Sequence, residues 1–294
     1  MKITIAYIGM ILITATTPLA VQWSGHGSGF LFGITSRIVL SALLAVVLLS
    51  VFRLPMVWTK QACQSYVVAG VGLFLSMLAI HWSAQYIPSG WIAVISGLAP
   101  ITTGVMAVMW MNEPSFTISK LLGIAFGIGG LIVIFGQSIM ISELALYGVA
   151  GMLLAVLSRS VSAVWLKRIH TPLNGLVLAT GGLLVATPLF LLTWFISGNT
   201  WPDEIGVRAV ISIVYLAVFV NVIGYAVYYY LLQNINLTRL ELVTLISPVC
   251  ALLLGMQFNN EVISSSVWIG TLMTLIGLAC FEFNEKIAPR WIQK

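Results

Sequence analysis

Apolar residues along this chain run in blocks of about twenty, not in the one-sided stripes of a soluble amphipathic helix. The blocks occupy Ile3–Gln22, Phe30–Val51, Tyr66–Ser83, Trp91–Met111, Ile118–Phe135, Leu144–Leu166, Leu173–Ser197, Val207–Leu232, Leu240–Phe258 and Val262–Phe281. A block of this length crosses roughly 30 Å of hydrocarbon as a single α-helix. Short polar turns separate the blocks, among them Ser24-Gly25-His26-Gly27-Ser28-Gly29, Pro88-Ser89-Gly90 and Ser197-Gly198-Asn199-Thr200, where Gly, Pro and Asn interrupt helices. The pattern predicts an all-α integral membrane protein of ten transmembrane helices, with no gap long enough for a soluble domain.

Composition agrees with lipid as the solvent: of 294 residues, 60% are hydrophobic and only 7% charged, against roughly a quarter charged in a soluble domain. The net charge of +5 would raise the question of nucleic acid, but the basic residues are scattered at helix ends with no basic run, so no nucleic-acid partner is expected. Cys63, Cys250 and Cys280 lie far apart, with no CxxC and no histidine at ligand spacing. They read as packing residues, and no metal or cofactor is expected. With a cytoplasmic N-terminus, one side collects Lys2, Arg53, Lys60, Lys120, Lys167, Arg168, Arg239, Lys286, Arg290 and Lys294, and the opposite loops hold Arg208. The positive-inside rule therefore places both termini in the cytoplasm. A cleaved signal peptide is the rival reading of the first block; its apolar run is too long for that, and its removal would break the symmetry that follows.

Shifted by 148 positions, the chain matches itself: Pro100 falls on Pro248, Asn112-Glu113 on Asn260-Glu261, Gln85 on Gln233 and Gly129 on Gly277. Two units of five helices share one plan, over residues 1–140 and 144–285, followed by a short basic cytoplasmic tail at 286–294. Five is odd, so the second unit enters the bilayer from the opposite side. Such inverted-topology repeats build carriers around a central cavity.

Two segments carry a family resemblance: Ile92-Ala93-Val94-Ile95-Ser96-Gly97-Leu98-Ala99-Pro100 running to Asn112-Glu113-Pro114, and Leu242-Val243-Thr244-Leu245-Ile246-Ser247-Pro248-Val249 running to Asn260-Glu261. With the glycine-rich stretch from Gly123 to Gly130 and the sixth block ending in Val164-Trp165-Leu166-Lys167-Arg168, the chain resembles EamA-type members of the drug/metabolite transporter superfamily over nearly its whole length. The first helix departs from that pattern, with Thr16-Thr17-Pro18 in place of the usual Trp-Gly, and Glu241 is unusual in the ninth. The resemblance implies ten helices in two inverted repeats, a substrate cavity between the halves, cytoplasmic termini, and export of metabolites such as amino acids or of toxic compounds.

Polar groups at membrane depth are expensive unless they face protein or a cavity, and so they nominate the site. Asn221, Tyr225, Tyr228 and Tyr229 fall at helical spacing on one face of the eighth helix, either as a cavity wall or as a helix contact with interfacial tyrosines. Ser76, His81 and Trp82 near the outer end of the third helix favour an interfacial role. Arg37 and Arg159 each cost about 2.5–3.5 kcal/mol in lipid even on the lenient insertion scale. A substrate carboxylate is one expected partner, and Glu241 a second for Arg159. A structural ion pair or snorkelling is the competing account of both, snorkelling above all for Arg37. Glu241 is a candidate for charge recognition or proton coupling. Pro100 and Pro248 delete a backbone hydrogen bond in corresponding helices and are candidate hinges, with Ser96 and Thr244 one turn before them.

The expected function is a secondary transporter, an exporter of small amino-acid-like metabolites or drug-like compounds, multi-pass in a bacterial inner membrane and working as a monomer or homodimer with protons as the coupling ion. The alternatives are an importer of a sugar, nucleotide or osmolyte, and a non-transporting membrane subunit. No HExxH, GxSxG or Walker segment points to an enzyme or an ATPase.

Overall fold

A computed structural model describes residues 2–25, 29–111, 118–136, 143–169, 173–198, 201–202, 204–224, 227 and 237–283. All regular structure among them is helical. The helices are α1 (Lys2–Ser24), α2 (Phe30–Val51), α3 (Lys60–Ser83), α4 (Ser89–Ser96), α5 (Ala99–Met111), α6 (Ile118–Gly136), α7 (Glu143–Ile169), α8 (Gly175–Ile196), α9 (Val207–Tyr215), a π-helical segment (Leu216–Ile223), α10 (Leu237–Asn259) and α11 (Ser265–Phe283). Helix lies on every one of the ten apolar blocks. Six of the spans are long and apolar enough to cross a membrane, and shorter apolar helices cover the others. Exposed side chains such as Leu43, Val47, Leu121, Ile132, Leu192 and Ile269 face outward from the bundle, as lipid contact requires.

Local chemistry explains where the helices depart from the apolar blocks. α3 begins six residues before its block because Thr59 caps it, with Oγ1 accepting from the Ala62 N–H at 3.2 Å. α8 starts at Gly175 because Asn174 Oδ1 accepts from the Leu176 N–H at 2.9 Å. The fourth block is divided in two. Pro100 has no N–H to offer the Ser96 carbonyl, and the helix breaks at Gly97-Leu98, where Leu98 N–H bonds back three residues to Ile95 O at 3.0 Å. Its counterpart α10 runs through Pro248 without interruption. The expected pair of matching proline hinges is therefore unequal: a break in one helix, a continuous helix in the other.

Most packing partners come from opposite halves of the chain. α6 packs on α11, α3 on α7 and α8, α2 on α8 and the π segment, α1 on α10 and α9, α5 on α7, and α4 on α10. The glycine-rich stretch from Gly123 to Gly130 serves the first of these pairs. A Cβ on Gly277 would lie 2.6 Å from Gly123 O and 2.7 Å from Gly127 N, and one on Gly270 would lie 2.5 Å from Gly130 O. Small residues let these two backbones touch. The main aliphatic core gathers Ile92, Ile95, Leu98, Met152, Leu216 and Leu252 around α4.

Candidate functional site

Arg37 is the largest fully buried side chain among the described residues. It sits two turns inside α2, and a guanidinium there needs a polar partner in place of water. The partner comes from the other half of the chain: Arg37 Nη2 donates to Asn221 Oδ1 at 2.8 Å, and Asn221 Nδ2 donates to Ser41 Oγ at 2.7 Å. Ser41 closes the group by donating to the Arg37 carbonyl at 2.7 Å. Asn221 is placed by the π segment, whose widened i→i+5 turn breaks the α-helical register of the eighth span. Tyr225, Tyr228 and Tyr229 lie outside the described residues. His81 joins from α3: its Nδ1 is 2.9 Å from Met77 O, and the Arg37 charge reaches its ring. Arg37 and His81 are both buried. The reason is shared, since each is enclosed by helices from the opposite half.

A second polar group lies where α10 ends. Asn260 turns the chain in the left-handed region, φ 52°, which asparagine tolerates, and Glu261 then points back at the N-terminus of α4. Its Oε1 accepts from Ser89 N–H at 2.9 Å, Ser89 Oγ at 2.7 Å and Asn259 Nδ2 at 3.0 Å, and its Oε2 accepts from Gly90 N–H at 3.3 Å. A carboxylate on the first N–H groups of a helix satisfies orphan donors and faces the positive end of the helix dipole. Gly255 leaves room for it, since a Cβ there would stand 2.5 Å from Oε2. Asn259 carries the network to α1, donating to Gln22 Oε1 at 2.8 Å and accepting from Trp23 Nε1 at 3.2 Å. Arg208 stacks over the Trp23 ring at 4.7 Å. Three helices from both halves are thus tied together at one end of the bundle.

The remaining candidates are dispersed. Ser76 is buried and bonds its own helix at Leu73 O, 3.2 Å. Trp82 is half-buried, edge-on to Tyr86 at 5.0 Å. Ser96 is half-buried at the end of α4. Arg159 is exposed on α7, while its neighbour Ser160 is buried, 2.6 Å from Thr102 Oγ1 and accepting from Thr103 Oγ1 at 3.0 Å. The side chains of Glu241, Thr244 and Pro100 lie outside the described residues, and Pro248 is buried against Gly97, where a Cβ would stand 3.7 Å from Pro248 Cγ.

Residues 146–282 match the EamA-like transporter family. The chain carries an EamA-family domain. It is similar to the uncharacterized transporter YoaV of Bacillus subtilis (strain 168), 23% identical over 285 residues, covering 96% of this chain and 97% of that one. It is also similar to protein PecM of Dickeya dadantii (strain 3937), 24% identical over 232 residues, covering 74% of each. One solved protein, described only as the crystal structure of a protein, shares the fold at a TM-score of 0.63 and 18% identity, over 96% of this chain and 97% of that one. The family and the names of its relatives place the chain among multi-pass membrane transporters.

Two features of the site are not evident from the sequence. Ser41 and Ser89 are ordinary residues in an apolar helix and a turn, and nothing local marks them as partners of Asn221 and Glu261. An open, mostly apolar cleft of about 370 Å³ lies between α2, the loop after it and α8, lined by Val46, Leu49, Arg53, Met56, Thr180 and Leu184 among others. None of the residues of the two polar groups lines it.

Proposed function

We propose that the chain is a secondary exporter of a small amino-acid-like metabolite or drug-like compound, working by alternating access in a bacterial inner membrane with both termini cytoplasmic. On this reading it has ten crossings, arranged as inverted units over 1–140 and 144–285, with 286–294 as a cytoplasmic tail and a substrate path between the units. The observation that carries the reading is the set of helix pairs. Exchanging each span with the one five places along turns the α1–α10 contact into the α7–α5 contact, α3–α7 into α9–α1, and α3–α8 into the π segment on α2, and it leaves α2–α8 and α6–α11 unchanged. A duplicated unit related by a two-fold axis has this property, and such units exchange conformations to alternate access.

The Arg37–Asn221–Ser41 group and the Glu261 network then bridge moving parts, since each joins one half to the other. With no nucleotide-binding segment in the sequence, the energy comes from a gradient, and protons are the proposed coupling ion. Counterflow of labelled amino acids and cationic dyes into proteoliposomes, with and without a pH gradient, tests this. Saturable flux of one class, stimulated by the gradient, is expected. A wide panel without flux would refute transport in favour of a subunit role. Reporter fusions after residues 136 and 283 should report opposite faces of the membrane, and the same face would refute the inverted arrangement.

A further inference from the structure

We propose that the cleft between α2 and α8 is a binding site for one anionic phospholipid, its phosphate on Arg53 and an acyl chain between the helices. The inference depends on the chain spanning a membrane and is independent of what, if anything, it transports.

The backbone at the mouth of the cleft is the first observation. α2 ends in a turn in which Arg53 N–H bonds Ser50 O at 3.2 Å and Leu54 N–H bonds Leu49 O at 2.9 Å, with Pro55 following. This hydrogen-bond pattern closes many helices, and its central residue takes the left-handed conformation for which glycine is favoured. Here that residue is arginine, at φ 53°. An arginine kept where glycine would be unstrained points to work for the side chain.

The loop is also held in place. Tyr66 Oη donates to Val57 O at 2.9 Å and accepts from Val57 N–H at 3.3 Å, Trp58 lies edge-on to the Tyr66 ring, and Thr59 caps α3. Phe52 and Trp58 are 63% and 72% exposed, so the loop presents the aromatic rings that sit at headgroup level. Arg53 is exposed beside them, and its guanidinium makes no ion pair among the described residues.

The walls fit the rest of a lipid. Below Arg53 the cleft is lined by Val46, Leu49, Leu54, Met56 and Leu184. At 1.5 Å of rise per residue, Leu184 lies about 14 Å from the end of α8 and Val46 about 8 Å from the end of α2, the depth of the upper part of an acyl chain. A cation above an apolar groove between helices complements an anionic lipid, not a free anion, which would leave the groove empty. The positive-inside pattern puts this end of both helices in the cytoplasmic leaflet.

The full-length protein, delipidated in a neutral detergent, is titrated with phosphatidylglycerol or phosphatidylcholine, and bound lipid is read by native mass spectrometry. The wild type should retain one phosphatidylglycerol per chain with about a fivefold preference, the effect of one basic side chain near an anionic headgroup. Arg53→Gly should melt no lower than wild type without lipid and lose that preference, and Arg53→Lys should keep most of it. Leu184→Trp, which fills the groove, should lose the lipid with the charge in place. Retained preference in Arg53→Gly overturns the assignment. So does a thermal shift from inorganic phosphate equal to that from the lipid, which would mean a free-anion site.

Discussion

Glu261→Ala removes the acceptor that ties α10 to α4, and its cost can be worked from the contacts. Three of the lost bonds, from Ser89 N–H, Ser89 Oγ and Gly90 N–H, amount to a helix cap worth about 1 kcal/mol. The negative charge at the α4 N-terminus adds up to about 1 kcal/mol, and the Asn259 bond to a charged acceptor adds about 1 more. Glu261 is half-buried, so water reaches part of the vacated site, and a net loss of about 2 kcal/mol is expected. At 1.4 kcal/mol per tenfold, the equilibrium between this end closed and this end open moves about 30-fold. A protein open there in about 1% of molecules becomes open in about a quarter. Spin labels at Gln85 and Val262, both exposed beside the network, read the change as distance, with Cys63, Cys250 and Cys280 replaced beforehand. Glu261→Ala should add a long-distance population of that size. Glu261→Gln, which still accepts through its amide oxygen but carries no charge, should fall between. An unaltered distance distribution in Glu261→Ala would mean that the network holds nothing shut.

Two substitutions test the packing. Asn221→Leu takes the acceptor from Arg37 Nη2 in a fully buried setting and should lower stability by about 3 kcal/mol, visible as a lower melting temperature in detergent, with part recovered in the Arg37→Met/Asn221→Leu double variant; an unshifted melting temperature would contradict the role given to this bond. Gly130→Ala pushes a methyl group to 2.5 Å from Gly270 O on α11, and should cost about 1–3 kcal/mol in the same assay, whereas Gly9→Ala, which meets nothing within 4 Å, should not.

What the chain reveals about itself divides along the range of the interactions. The apolar blocks depend on local composition and length, so α2 occupies Phe30–Val51 as read, and α6, α8 and α11 agree to within a few residues. The glycines of α6 were legible as a close-packing face because spacing alone defines one. The partner of each polar residue was not legible, since Arg37 and Asn221 stand 184 positions apart and Ser89 and Glu261 172 apart, and no periodicity reports such a distance. Distance from a helix end does not report exposure either: Arg37 and His81 stand near helix ends in the sequence and are buried in the fold. Two turns from its start, α2 has α8, α9 and the π segment packed against it, and the Arg37 side chain is covered. The eighth span shows a different limit: counting at 3.6 residues per turn fails where the chain widens into a π turn.

The unequal fourth and ninth spans bear on how such a duplicated chain could move. α4 lies antiparallel along α10, with Ser89 beside Gly255, Gly90 against Leu252 and Gly97 against Pro248, so glycines lie at all three contacts and let the backbones approach. Glu261 fixes one end of α4 through its first N–H groups, and the break at Gly97-Leu98 separates the other from α5. The eight residues of α4 are thus held to α10 at their N-terminus and joined to α5 through a tight turn at their C-terminus. Pro100 and Pro248 thus have different consequences, because a kink is set by the neighbouring residues as much as by the missing N–H. Gly97 precedes Pro100 by three positions, and Leu245 stands at the matching place before Pro248. Leucine favours helix where glycine disfavours it by about 1 kcal/mol, enough to decide whether a proline bends a helix or divides it.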